Sequence, residues 1–203
     1  MKERSKRKPP LLIYTDGSVR DITGETTSPV YTFGFVKPHA YHYWREIMSD
    51  IESLSRERDM PLVVICEKER RVTRDEAERH YRAHRERIFF DDLIRTVTEG
   101  PTRQFILTGS DAINSFREIV GATDPEAAGK NTIRGRCATG KYGERKVAVQ
   151  YNAIHGSDNV VSLIEEVNIH FGRTEVNPEF WQRVDSYSAY LQALRRFNLG
   201  KYF

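Results

Sequence analysis

In Asn152-Ala153-Ile154-His155-Gly156-Ser157-Asp158 an apolar, β-prone run ends in a histidine, and a helix-start signal follows at once. A strand end of this kind holds one imidazole at a fixed place beside the free backbone N–H groups of the next helix. Residue type alone leaves two readings, a hydrogen-bonded structural histidine or a nucleophile. Working outward, Gly140-Lys141-Tyr142-Gly143 forms a turn, and Lys146 to Gln150 is expected as the strand leading into the motif. On the other side, Ser157 or Asp158 is expected to cap a helix whose apolar residues are Val160, Val161, Leu163, Ile164 and Val167.

The preceding chain alternates strands and helices. Val30 to Val36 is β-branched or aromatic and ends at Lys37-Pro38, which predicts a strand. Trp44, Ile47, Met48, Ile51 and Leu54 recur at helical spacing. Pro61 to Cys66 is a short apolar run without alternation, which predicts a central strand buried on both faces. Thr73-Arg74-Asp75-Glu76 is a capping box opening a helix to about His84, and a second short helix spans about Asp92 to Val97. Gln104 to Thr108 is the next strand, Ser110 is the expected cap of a helix holding Ile113, Phe116 and Ile119, and Gly121 ends it. A long Gly-rich loop is expected after it. This order implies an α+β fold, a ferredoxin-like sandwich with a mainly antiparallel four-stranded sheet covered by helices. The domain is expected over residues 30–171. Residues 1–29 are a basic tail with a short strand candidate at Leu11 to Tyr14, and 172–203 form an added helix opened by Asn177-Pro178, packing on the domain or on a neighbouring subunit.

Composition narrows the class of function. The 203 residues suit one domain with extensions, and 38% hydrophobic with 30% charged content is that of a soluble globular protein. No apolar run approaches the ~18 residues of a membrane span, and the basic N-terminus is followed by too little apolar sequence for a signal peptide. A net charge of +3 gives no ground for nucleic-acid binding but allows a locally basic site for an anion. Cys66, in a buried strand, and Cys137, in a polar loop, lack metal-type spacing, which points to a reducing, cytoplasmic setting.

Phe35-Val36-Lys37-Pro38, His80-Tyr81, Phe89-Phe90-x-x-Leu93, Gly100-Pro101, Arg117 with Gly121-Ala122-Thr123-Asp124-Pro125, Thr132-Ile133-Arg134-Gly135, and the histidine motif with Glu166 eleven positions beyond His155 stand in one order. Each piece is weak alone. Together they resemble the nucleoside diphosphate kinase family from about Thr32 to Phe171. The resemblance implies a ping-pong exchange in which a nucleoside triphosphate, such as ATP, phosphorylates His155 and a nucleoside diphosphate removes the group. Neutral imidazole suits this chemistry, because its ordinary pKa of about 6.5 leaves a free lone pair near pH 7. Phosphoryl transfer calls for positioning and for cations and hydroxyl donors around the spread negative charge.

By the same resemblance, Arg117, Thr123 and Arg134 grip the phosphates, Lys37 and Asn152 reach the sugar hydroxyl and phosphates, and Tyr81 lies close to the transferred group. Glu166 orients the His155 ring and Ser157 supports it. Phe89 and Leu93 hold the base by stacking, which accepts any base. Mg²⁺ accompanies the nucleotide, held mainly by its phosphates, with Asp158 reaching it through water. The assembly implied is a homo-oligomer, a hexamer or tetramer built from dimers. Without the family pattern, Phe89 and Leu93 read equally well as core, Tyr81 as a packing residue, Lys37 and Arg117 as exposed charges, and Glu166 as a solvated helix residue. His80 and His84, and His39 and His42, show spacings seen in metal sites but lack a carboxylate or cysteine partner in a zinc-type arrangement.

The chain departs from the family at His39, where aspartate is usual, and in the length of the loop between Arg134 and Asn152, which carries Lys141, Arg145 and Lys146. These departures leave a second reading, a nucleotide-binding regulatory protein of the same fold with little or no kinase activity. A third, a ferredoxin-like nucleic-acid-binding module, would need exposed aromatics on a sheet face with basic flanks, and no such run is present.

Overall fold

A computed structural model describes residues 11–13, 19–21, 30–143 and 149–196. The tail at 1–10, Tyr14, and Arg145 and Lys146 of the long loop lie outside the described residues. The elements in chain order are β1 (Leu11–Ile13), β2 (Val19–Asp21), β3 (Tyr31–Val36), α1 (Trp44–Glu57), β4 (Val63–Arg71), α2 (Arg74–His80), α3 (Phe90–Thr98), β5 (Pro101–Thr108), α4 (Ala112–Val120), α5 (Ile133–Ala138), β6 (Ile154–Gly156), α6 (Val160–His170) and α7 (Pro178–Arg196). β1 and β2 form a separate antiparallel pair. The other four strands make one sheet in the order β4-β5-β3-β6, with every neighbouring pair antiparallel. This is the ferredoxin-like α+β sandwich that the alternation of elements predicts.

The sheet alternates as a two-sided strand pattern requires. Phe33, Phe35 and Ile106 face a core closed by α2, α3, α6 and α7, in which Leu163, Val167, Phe180, Trp181 and Val184 are buried. Val36, Phe105 and Leu107 face a second core closed by α1 and α4, with Ile47, Ile51, Leu54, Phe116 and Ile119. α7 therefore packs on the domain of its own chain. Gly34 and Gly156 sit opposite each other in the β3–β6 ladder because the Phe116 ring fills the space a Cβ would need. That atom would lie 2.8 Å from the ring at Gly34 and 2.7 Å at Gly156.

Thr73 and Glu76 form the expected capping box, and Gly121 closes α4 with φ +87°. Other expectations are corrected. Pro61 to Cys66 supplies the start of an edge strand, with Val63 59% and Val64 42% exposed, so its lack of alternation marks an uncovered edge. Asp111, in the left-handed region, precedes α4 in place of Ser110, whose carbonyl instead accepts from Ser115 Oγ. Asn159 caps α6 through its bond from Ser162 N, because Ser157 is drawn inward to Glu166 and Asp158 outward to Arg117. The strand leading into His155 is Ile154–Gly156 itself. Of the expected run Lys146 to Gln150, Val149 and Gln150 form a turn and 146–148 lie outside the described residues. The Gly-rich loop contains α5, capped by Thr132, and Cys137 lies half-buried in that helix.

Candidate active site

β3 ends at Val36, just before Lys37, and β6, α4, α5 and α6 point inward beside it, enclosing a cavity of about 840 Å³. Lys37, Tyr81, Phe89, Leu93, Arg117, Thr123, Arg134, Asn152, His155, Asp158 and Glu166 all line it. Ser157 does not. It is fully buried behind the wall and acts on Glu166 instead.

His155 is carried by β6, opposite Phe35 of β3, and its ring stacks on Phe35 at 4.9 Å. Just before it, Ala153 has φ 65°, a strained value for a residue with a Cβ. Two bonds hold it there. Its N–H donates to His39 Nε2 at 3.0 Å, and its carbonyl accepts from Lys37 N at 2.9 Å. The histidine in place of the family's aspartate thus serves as an acceptor at the approach to the motif.

His155 Nε2 lies 3.1 Å from Glu166 Oε1, and Ser157 Oγ donates to Glu166 Oε2 at 2.5 Å and approaches the Phe33 carbonyl at 3.3 Å. Burial, then the cations Lys37, Arg134 and Arg117, push the His155 pKa well below 6.5. The ring is therefore neutral at pH 7. Burial raises the Glu166 carboxyl to about 7, against the opposing pull of His80 and the Ser157 hydroxyl.

The cations come from three elements. Lys37 is 4% exposed and its Nζ donates to Gln150 O at 2.9 Å, while burial and then Arg134 lower its pKa to about 7. Arg134, on α5, donates to Gly121 O and Ile154 O, both at 3.1 Å, and burial lowers its pKa to about 10. Arg117, on α4, pairs with Asp158 at the cavity mouth. Asn152 Nδ2 donates to Thr123 O at 2.9 Å, joining two of the expected phosphate-handling residues. Tyr81 lines the cavity, and its buried hydroxyl has no hydrogen-bond partner among the described residues. Phe89 is 38% exposed at the mouth and Leu93 is 7% exposed beneath it.

His80 and His84 do not converge. His80 is buried against His155 and His170, whereas His84 turns toward Phe89. Two residues at this site escape the motif reading, His170 of α6 and Gln104 of β5. Their signal is a polar residue on an apolar face: His170 follows Leu163 and Val167 on one stripe, and Gln104 precedes Phe105-Ile106-Leu107 in a buried strand.

Comparison with known proteins bears on the family and the fold. The family description "Nucleoside diphosphate kinase" matches residues 30–176. A protein of that name from Lawsonia intracellularis is 34% identical over 145 residues, covering 71% of this chain and 96% of its own length. Another from Methanosphaera stadtmanae is 37% identical over 144 residues, covering 71% and 87%. Among solved structures, the Halobacterium salinarum nucleoside diphosphate kinase in complex with CDP is 31% identical with a TM-score of 0.60, covering 72% of this chain and 90% of that one. The Aquifex aeolicus enzyme is 32% identical with a TM-score of 0.58, covering 72% and 98%. No helix among the described residues is long and apolar enough to cross a membrane. With the family match over residues 30–176 and these relatives matched over most of their own length, the chain belongs to the nucleoside diphosphate kinase family.

Proposed function

We propose that the protein transfers the γ-phosphoryl group of a nucleoside triphosphate to a nucleoside diphosphate in two half-reactions, through a phosphohistidine at His155. The observation that carries this reading is the bond between His155 Nε2 and Glu166 on the wall of a cavity flanked by three cations. An Nε2–H donating to Glu166 leaves the lone pair on Nδ1. In the first half-reaction Nδ1 bonds to the γ-phosphorus as the bond from that phosphorus to the bridging oxygen breaks, and the diphosphate leaves with the electron pair. The ring becomes positively charged, and the Glu166 carboxylate stabilises it. The second half-reaction is the reverse, with a different diphosphate. No separate general acid is needed, because the leaving oxygen is a phosphate oxygen.

Arg117, Thr123 and Arg134 grip the phosphates, with Arg117 exchanging Asp158 for a phosphate oxygen. Lys37 and Asn152 reach the sugar hydroxyl and the phosphates, Tyr81 directs its hydroxyl at the transferred group, and Phe89 and Leu93 hold the base. The donor set fits a Mg²⁺ that arrives with the nucleotide. Glu166 is committed to His155 and Ser157, while Asp158 is an exposed carboxylate on the wall, placed for a contact through water. When bound, Mg²⁺ neutralises charge on the β- and γ-phosphates. The protein is further proposed to act in the cytoplasm as a homo-oligomer assembled from dimers.

The test is incubation with γ-labelled ATP and chase with a different diphosphate. An acid-labile label that is absent in His155→Ala and passes to the diphosphate is expected. Nucleotide binding without label would instead identify a regulatory protein.

A further inference from the structure

Behind His155 the sheet register builds a second polar row. Phe35 of β3 pairs with His155 of β6 on one side and with Gln104 of β5 on the other, so these three side chains share one face of the sheet. α6 lays Glu166 and, one turn later, His170 over that face, and α2 ends in His80 between them. Gln104 Nε2 lies 3.1 Å from His170 Nδ1, His170 Nε2 lies 3.0 Å from His80 Nδ1, and His80 Nε2 faces Glu166 Oε1 at 3.9 Å. Gln104, His170 and His80 are each nearly or wholly buried, and His170 stacks on Phe33 at 5.1 Å.

Donor chemistry gives this row a direction. In the orientation that turns the Gln104 amide nitrogen toward His170 and leaves Gln104 Oε1 without a partner among the described residues, that nitrogen donates, so His170 Nδ1 accepts and its proton sits on Nε2. That proton is donated to His80 Nδ1, which places the remaining His80 proton on Nε2. His80 Nε2 has no hydrogen-bond partner among the described residues, and Glu166 Oε1 is the carboxylate oxygen it faces. In a buried setting an N–H dipole directed at a carboxylate favours its ionised form, the form that stabilises a positively charged His155 ring.

We propose that Gln104 and His170 are positioning residues for the phosphotransfer, holding His80 in the tautomer whose Nε2–H faces the carboxylate that orients His155. This rests on the reading of His155 as the phosphorylated residue. A proton-bearing His80 Nε2 also distinguishes this arrangement from a metal site. His80, His155 and Glu166 place three ligand-type atoms within 4.8 Å of one another, and in the proposed arrangement a proton on His80 Nε2 would have to leave before that nitrogen could take a metal.

The test combines ¹⁵N-histidine NMR of the whole protein with rapid-quench phosphorylation by γ-labelled ATP. In the wild type, His80 should be neutral with its proton on Nε2. In His170→Phe, which preserves the stacking on Phe33 and removes both ring nitrogens, His80 should show a mixture of tautomers. The phosphorylation rate should fall about tenfold, the lower end of what loss of an orienting partner costs in related settings. His170→Gln, which returns an N–H toward His80, should recover most of that rate. A wild-type His80 carrying its proton on Nδ1 overturns the proposal, as does an unchanged tautomer in His170→Phe. Equal losses of rate in folded His170→Phe and His170→Gln also overturn it, since they indicate packing alone. If the wild type takes up no label, the kinase reading fails, and the tautomer measurements still decide the direction of the row.

Discussion

The Nε2 of His155 and the Oε1 of Glu166 lie 3.1 Å apart, joining the last strand of the sheet to the middle of α6. Ser157 bonds the other carboxylate oxygen, so the pair is fixed from both ends. Replacing Glu166 with Gln keeps the size and an acceptor but removes the charge opposite the ring. A hydrogen bond to a charged group contributes about 1.5–3 kcal/mol, which corresponds to roughly a 10- to 150-fold slower phosphorylation of His155. Nucleotide affinity should change little, because Glu166 lies behind the ring. Rapid-quench labelling alongside equilibrium nucleotide binding separates the two effects, and a loss confined to binding would contradict this role.

The pH profile should carry the marks of Lys37 and Glu166 rather than of His155. His155 stays neutral well below pH 6.5, so its protonation does not limit the rate near neutrality. Lys37, lowered to about 7 by burial and by Arg134, loses its charge as the pH rises through that value. Glu166, raised to about 7 by burial, is an anion above it. Because kcat/KM reports the free enzyme, it should peak near pH 7 and fall on both sides. In Lys37→Arg the guanidinium stays charged, so the alkaline fall should move to higher pH even where the maximum is lower. The acid fall should shrink in Glu166→Gln. An acid limb near pH 6.5 that Glu166→Gln leaves unmoved would falsify this assignment.

The parts of this fold that can be read from sequence are those with a period or a local chemical signature. α1 shows its stripe of Ile47, Ile51 and Leu54, α2 its Thr73–Glu76 capping box, and the expected site residues other than Ser157 line one cavity. What stays hidden depends on long-range geometry. An apolar run such as Pro61 to Cys66 does not say whether it lies at the centre or the edge of a sheet. Ser157 looks like a helix cap until Glu166 is seen to claim its hydroxyl. Gln104 and His170 are 66 residues apart, and only the β3–β5 register and the seat of α6 bring them together.

The elongated loop has an anchor on α1. Asp50 Oδ1 accepts from Arg136 at 2.7 Å, and its Oδ2 accepts from Lys141 and Tyr142, each at 2.5 Å. Burial pushes the Asp50 pKa up, but the three donors outweigh it and hold the carboxyl below its ordinary value. Asp50→Asn should cost about 1–2 kcal/mol, discounted because Lys141 is substantially exposed. The same α5 carries Arg134, so loosening it should also raise KM for nucleotides several-fold with little change in kcat. Urea denaturation and steady-state kinetics check the two parts. Lost stability with an unchanged KM would mean that Arg134 is held by Gly121 O and Ile154 O alone.

Three buried neutral histidines should make the protein sensitive to acid. Burial is the first cause for each, placing His80 at about 3, His170 at about 2 and His155 well below 6.5. In the unfolded chain the same rings take up protons near pH 6.5. Between those values the unfolded state binds more protons, so these residues stabilise the fold fully above pH 6.5 and progressively less as the pH falls. Glu166 acts in the opposite sense. Its folded value of about 7 lies above the unfolded 4.5, so it adds stability as the pH falls through that range and offsets about one histidine. Two histidines remain uncompensated between pH 6.5 and 4.5, an upper limit of ~2.7 kcal/mol lost per pH unit. In His170→Phe the slope should fall by up to ~1.4 kcal/mol per unit, even though the variant starts less stable through the abandoned Gln104 amide. Urea transitions at half-unit intervals of pH measure both slopes. If they are equal, the His170 ring takes up its proton inside the folded protein, and burial alone does not keep it neutral.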